Sequence, residues 1–212
     1  ELEGVVKTVT VKRNALGELF VCFALEQEIK VVERRTGNSA AFDFGLKTFL
    51  TSSDGALIDS PQFFKQSQKQ LASLQKRFAK KQRGSSSHRA LKRQIASLHI
   101  KIIAQRRDWF FKLAHKLTDS YDVLIFETLN LKGMQRLWGR KVNDLAFYSF
   151  LKILEYVATS KDKTVHYVDR WFASSKTCNH CGHKNTALTL QDRYWRCSRC
   201  GNTQDRDVGA AI

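Results

Sequence analysis

The 212-residue sequence predicts an α/β protein built on a mixed sheet, and three observations lead there. Between Ser39 and Ile58 short runs alternate apolar and polar residues with the period of strands. Apolar residues then recur at helical spacing on both sides of a serine-rich loop, which makes a helical hairpin. Beyond it a doubly apolar strand, a helix and a further strand follow one another, the alternation of a sheet covered by helices.

The elements are justified in chain order. Val5, Val9 and Val11, then Leu19, Val21, Phe23 and Leu25, alternate as two strands to about Glu28, with Asn14-Ala15-Leu16-Gly17 as the turn. Three short strands follow: Ala40 to Phe44, Thr48 to Thr51 and Ala56 to Ile58, the last two joined by Ser53-Asp54-Gly55. Ser60 reads as a helix N-cap with Pro61 at the first helical position, where its missing N–H costs nothing. Phe64, Leu71, Leu74 and Phe78 share one face of that helix, and Leu91, Ile95, Leu98 and Ile102 resume the pattern after Gly84-Ser85-Ser86-Ser87. Val123-Leu124-Ile125-Phe126 is apolar on both faces, as a central strand requires. A helix is expected over Val142 to Ala158, a strand over Thr164 to Val168, and a last helix starting near Val208.

With 42% hydrophobic residues the chain can bury one core and a small satellite module. No run approaches the roughly 18 to 20 apolar residues of a membrane span, and Glu1 to Gly4 lacks the features of a secretory signal. The expectation is a cytoplasmic, unsecreted protein with no membrane partner. Its formal net charge of +16 favours a polyanion, nucleic acid foremost. Between Pro61 and Arg107 there are thirteen Lys and Arg and no Asp or Glu. A solvated helix surface ordinarily mixes both signs, so a one-signed one takes its counter-charge from a partner. Lys76, Arg77, Lys80, Lys81, Arg83, Arg89, Lys92 and Arg93 are the candidate nucleic-acid contacts.

Four of the five cysteines form two Cys-x-x-Cys knuckles, Cys178/Cys181 and Cys197/Cys200, with 15 residues between them. That spacing lets four thiolates close around one tetrahedral zinc ion. Gly182 and Gly201 follow the knuckles, where the backbone turns tightly, and Tyr194 to Arg196 supplies a strand. His180 and His183 are alternative ligands, but four cysteines already saturate the ion, and a saturated site is structural. Cys22 lies in an apolar strand as a small core residue.

Chemistry must therefore lie in the acids. Asp43 interrupts an apolar strand, Glu127 ends the most apolar one, and Asp205 and Asp207 precede the last helix. Taken singly, each reads as readily as an ion-paired or helix-terminal acid. Their order is more specific: Phe42-Asp43-Phe44-Gly45-Leu46-Lys47, the basic hairpin, Phe126-Glu127-Thr128-Leu129-Asn130-Leu131-Lys132-Gly133-Met134, then Ser174-Ser175-Lys176-Thr177-Cys178, the knuckles and Asp205-Arg206-Asp207. This arrangement, over about Gly37 to Ile212, resembles the TnpB (OrfB) family of insertion-sequence proteins and the RuvC domains of type V CRISPR effectors.

The resemblance implies a ribonuclease-H-like (RuvC) sheet on which Asp43, Glu127 and Asp207 are catalytic and hold magnesium, with Asp205 as the competing third ligand or a cap of the last helix. It implies an RNA-guided endonuclease hydrolysing DNA phosphodiester bonds, with guide RNA and target DNA as partners and association with the nucleoid. It divides the chain into 1–36, the end of a preceding β-barrel; 37–170, the nuclease core with its basic hairpin at 61–117; 171–203, the zinc ribbon; and 204–212, the last core segment. Gly209 stands where the family usually has Asn, and most of the family's N-terminal lobe has no counterpart here, so the chain reads as a fragment. The alternative is a catalytically silent nucleic-acid-binding module that recruits a separate transposase. Oligomeric state is left open.

Overall fold

A computed structural model describes residues 4–26, 35–128, 136, 139, 144–168, 176–189, 192 and 194–205. The chain divides into two compact units, one of residues 1–32 and 62–109 and one of residues 33–61 and 110–212. Among the described residues, no helix is long and apolar enough to cross a membrane.

In the first unit, β1 (Val5–Arg13) and β2 (Leu19–Glu26) form an antiparallel hairpin with a register shift between Val6 and Thr8. The turn is organised by Asn14, whose Oδ1 accepts the N–H of Leu16 at 2.9 Å and of Glu18 at 3.0 Å. Gly17 takes the left-handed backbone this turn needs, φ +89°. Val9, Val11, Phe20 and Phe23 are all exposed, and so is Cys22, which corrects its assignment to a core. An alternating apolar pattern specifies a strand but not the surface that covers it.

The same unit holds α1 (Phe63–Ala79) and the beginning of α2 (Ser86–Ser120). Leu71 and Leu74 of α1 pack against Leu91, Leu98 and Ile102 of α2, and Phe63, Phe64, Phe78 and Ile95 close the cluster. Each such fully buried side chain contributes about 1.5–3 kcal/mol. Ser85 caps α2, its Oγ accepting the His88 N–H at 3.1 Å. The start of α1 differs from the sequence expectation: Gln62, at φ 51°, is the residue at the N-cap position, and its side chain makes no capping hydrogen bond. Pro61 therefore lies outside α1. Phe63 and Phe64, in the first turn, pack against the hairpin core.

The second unit contains a five-stranded mixed sheet in the order β5-β4-β3-β6-β7. Here β3 is Ser39–Phe44, β4 Leu50–Ser52, β5 Leu57–Ile58, β6 Val123–Glu127 and β7 Thr164–Val168. The meander β3-β4-β5 is antiparallel, whereas β3, β6 and β7 are mutually parallel. One face of β3 and β6 presents Ala40, Phe42, Phe44, Leu124 and Phe126, all buried. Phe42 stacks on Phe126 with ring centres 5.2 Å apart, and Phe44 lies 4.7 Å from Phe147 of α3 (Phe147–Ser160). Phe49, Phe110 and Phe150 complete an aromatic core with α2 and α3. Ala146, at φ 48°, separates α3 from the helical Asp144 and Leu145 before it, and the expected start at Val142 lies outside the described residues.

The N-terminal ends of the parallel strands are tied together. The Asp122 carboxylate, just before β6, accepts the backbone N–H of Thr36 and of Gly37, the latter at 2.7 Å, and pairs with the buried Lys163 beside β7. Lys163 and those N–H groups hold Asp122 well below the usual carboxylate range. After β3 the chain turns at Gly45, where a Cβ would meet the Thr48 carbonyl oxygen at 2.5 Å. Gly45→Ala is accordingly expected to destabilise the fold by about 1–3 kcal/mol through overpacking. A denaturant midpoint equal to that of the parent would show that Thr48 can move aside.

Candidate functional site

Burial alternates along β3 and β6, so Asp43 and Glu127 project from the face opposite the phenylalanines and are both half-buried. The parallel register pairs Ala41 with Ile125 and Phe42 with Phe126. Continued by one residue, it sets Asp43 beside Glu127. The two carboxylates thus share one face at the carboxyl ends of adjacent parallel strands, the end at which open α/β sheets bind ligands. Thr51 of β4 pairs with Asp43 on its other side and Val168 of β7 with Glu127. Burial pushes the Glu127 carboxyl above its ordinary range. Two neighbouring acids, one of them disfavoured as an anion, form a site that a cation would stabilise. Asp207 lies outside the described residues, as does the expected last helix. Asp205 ends β9 (Thr203–Asp205), opposite Tyr194 of β8 (Tyr194–Arg196), so it belongs to a hairpin strand.

That hairpin carries the second knuckle of a Cys₄ cluster. The Sγ atoms of Cys178, Cys181, Cys197 and Cys200 all lie within 4.8 Å of one another. Cys178 and Cys200 are 3.7 Å apart, and Cys181 and Cys197 3.6 Å. A tetrahedron with Zn–S bonds of about 2.3 Å has edges of about 3.8 Å, so the donors fit zinc in both kind and spacing.

The two knuckles are built alike. The N–H groups of Gly182 and Gly201 donate to the carbonyls of Cys178 and Cys197, each at 2.9 Å, and both glycines have positive φ. The N–H groups of Cys178 and Cys197 in turn donate to the carbonyls of His183 and Asn202. Buried Gln204 joins the halves, accepting the Asn179 N–H at 3.0 Å and donating to the Thr177 carbonyl at 3.1 Å. Although burial pushes the Cys178 thiol up, the N–H groups of Cys181 and His180 and the neighbouring thiols bring it down to about 6. Backbone N–H groups of the second knuckle likewise lower Cys197. His180 is exposed and His183 lies 3.3 Å from the Ser198 hydroxyl, so neither joins the cluster.

All eight candidate cations of the helical hairpin are exposed. Sequence reading gives Arg13 no role, yet the structure sets it beside three of them: Arg13 and the Asn14–Gly17 turn line one pocket with Arg89, Lys92 and Arg93. A juxtaposition of residues so distant along the chain leaves no periodic signal.

Comparison with known proteins adds the family. The family model OrfB_IS605, described as a probable transposase, matches residues 20–137, and the model of the Cas12f1-like TNB domain matches residues 147–212. A Streptomyces pristinaespiralis protein named "Putative RNA-guided DNA endonuclease" is 31% identical over 206 residues, covering 96% of this chain and 51% of that protein. The similarly named InsQ of Escherichia coli K12 is 26% identical over 228 residues, covering 100% of this chain and 56% of InsQ. The chain thus spans about half the length of the curated relatives it matches. In a cryo-EM structure of the Cas12f1-sgRNA-target DNA complex, one chain superposes with a TM-score of 0.56 at 18% identity, covering 96% of this chain and 54% of that one. The mixed sheet flanked by helices is therefore a Cas12f1-like fold. Since the OrfB_IS605 match takes in over half of the 212 residues, the chain belongs to that family, the TnpB (OrfB) family its motifs resemble.

Proposed function

We propose that the chain is the RuvC-like nuclease core of an RNA-guided DNA endonuclease, which hydrolyses phosphodiester bonds at Asp43, Glu127 and Asp207. The observation that carries this reading is the shared sheet face of Asp43 and Glu127 at the carboxyl ends of β3 and β6. Carboxylate oxygens are the hard donors that suit magnesium, and Asp207 would supply the third. Magnesium bound there would polarise the scissile phosphate and favour ionisation of the attacking water. The chain's own part is to hold the acids on a rigid sheet, fixed at its opposite end by Asp122 and Lys163. Guide RNA and target DNA are the partners that the relatives' names suggest. Under this reading the domain limits are those drawn from the sequence, with zinc structural in the ribbon.

Nicking of single-stranded DNA tests the reading: cleavage is expected with magnesium and not with a chelator. Binding without cleavage at any divalent concentration would instead support the silent recruiting module.

The basic hairpin gives a separate test. Changing Lys76, Arg77, Lys80, Lys81 and Arg83 to Gln should weaken binding across all sequences, because cations paired with phosphates position a strand without reading it. The slope of log affinity against log salt should flatten by about 0.7–0.9 for each phosphate that is no longer neutralised. An unchanged slope would make this an ordinary solvated surface.

A further inference from the structure

The turn of the β1–β2 hairpin and the beginning of α2 line an open pocket of about 280 Å³, with Arg13 and the Asn14–Gly17 turn on one side and Arg89, Lys92 and Arg93 on the other. Arg89, Lys92 and Arg93 stand three and four residues apart on one helical face, so their side chains converge. Arg13 comes to them from the last pair of the hairpin. Its guanidinium passes over Gly17, where an added Cβ would lie 3.3 Å from Nη2. Among the described residues, no carboxylate forms an ion pair with any of the four cations. The nearby acid, Glu18, is engaged at 2.6 Å by the Asn14 amide within the turn.

Four cations in one concavity repel one another, so the pocket selects an anion. Three are arginines, whose planar forks match the paired oxygens of a phosphate. No aromatic residue lines it, so it offers a base no stacking platform. We propose that this pocket is a binding site for a backbone phosphate of a nucleic-acid strand, clamped between Arg13 of the hairpin turn and Arg89, Lys92 and Arg93 of α2. The site rests on the nucleic-acid reading of the chain and adds to it the β-hairpin as a binding element. RNA and DNA present the same phosphate, and the test separates them.

Arg13→Gln, Arg93→Gln and the double variant are titrated with fluorescein-labelled oligouridylate and oligothymidylate of equal length, in chelator so that no cleavage intervenes. Either single variant is expected to flatten the salt slope by about 0.7, the release expected for one single-strand phosphate. Because both side chains serve one phosphate, the double variant should lose the same amount. A loss confined to one probe identifies that polymer as the source, and a loss on both assigns the site to the shared phosphate. Parental slopes in both single variants, or a loss in the double variant equal to the sum, would overturn the clamp while the nucleic-acid reading stands. A parent that binds neither probe would overturn both. Unchanged thermal melting of the variants keeps loss of fold out of the comparison.

Discussion

Asp43→Ala is expected to slow divalent-dependent nicking of single-stranded DNA by about a thousandfold or more, equivalent to about 4 kcal/mol of transition-state stabilisation. Glu127→Gln should do the same. Each removes one of two acids that face the same way from adjacent strands, and a metal site missing one of its few anionic ligands loses charge and geometry together. Stability separates this role from a structural one. Since burial raises the Glu127 carboxyl, its ionised form is less favoured folded than unfolded, and Glu127 costs stability at pH above its unfolded range. Glu127→Gln should therefore melt no lower than the parent at neutral pH and without metal. Any advantage should vanish as the pH falls and Glu127 itself takes up a proton. Full nicking activity in Glu127→Gln, or a melting point several degrees lower, would make the acid structural and dismiss the two-strand site.

How much of this was legible in the sequence varied with the range of the interaction. The β3 strand follows from apolar alternation, β6 from a run that is apolar on both faces, and the four cysteines from spacing alone, because those signals are carried by neighbouring residues. Strand order is not local: nothing in Phe42 or Phe126 specifies that they stack, yet that pairing is what aligns Asp43 with Glu127. The family resemblance brought those acids together before any geometry did. Helix starts were least legible. Gln62 and Ala146 adopt left-handed backbones that neither residue type advertises, and Phe63, Phe64 and Phe147, which follow them, pack into cores. Asp205 ends a strand opposite Tyr194, and the helix it is expected to cap lies outside the described residues.

Cys178→Ser combined with Cys200→Ser is expected to abolish the binding of one zinc equivalent that the four-cysteine cluster of the parent chain predicts, and with it the order of the ribbon. The four sulfurs already stand at tetrahedral spacing, and binding of structural zinc is worth about 10–16 kcal/mol in small modules of this kind. Among the described residues the ribbon's own apolar cluster consists of Cys178, Leu188, Trp195 and Cys197 with Cys181 packed against it, so three of these five side chains are ligands themselves. Removing one thiolate from each knuckle leaves two donors, and the N–H groups of Gly182 and Gly201 then brace two turns that no ion joins. The sheet should survive, because its core is the separate phenylalanine set around Phe44, Phe49 and Phe150. Metal analysis should read zero zinc, and the fluorescence of Trp195, identified by difference against Trp195→Phe, should shift to the red as it leaves its buried site. Far-ultraviolet helical signal should remain. Retention of one zinc equivalent by the double serine variant, with an unshifted Trp195, would show that the ion is held elsewhere and that the cluster is not its site.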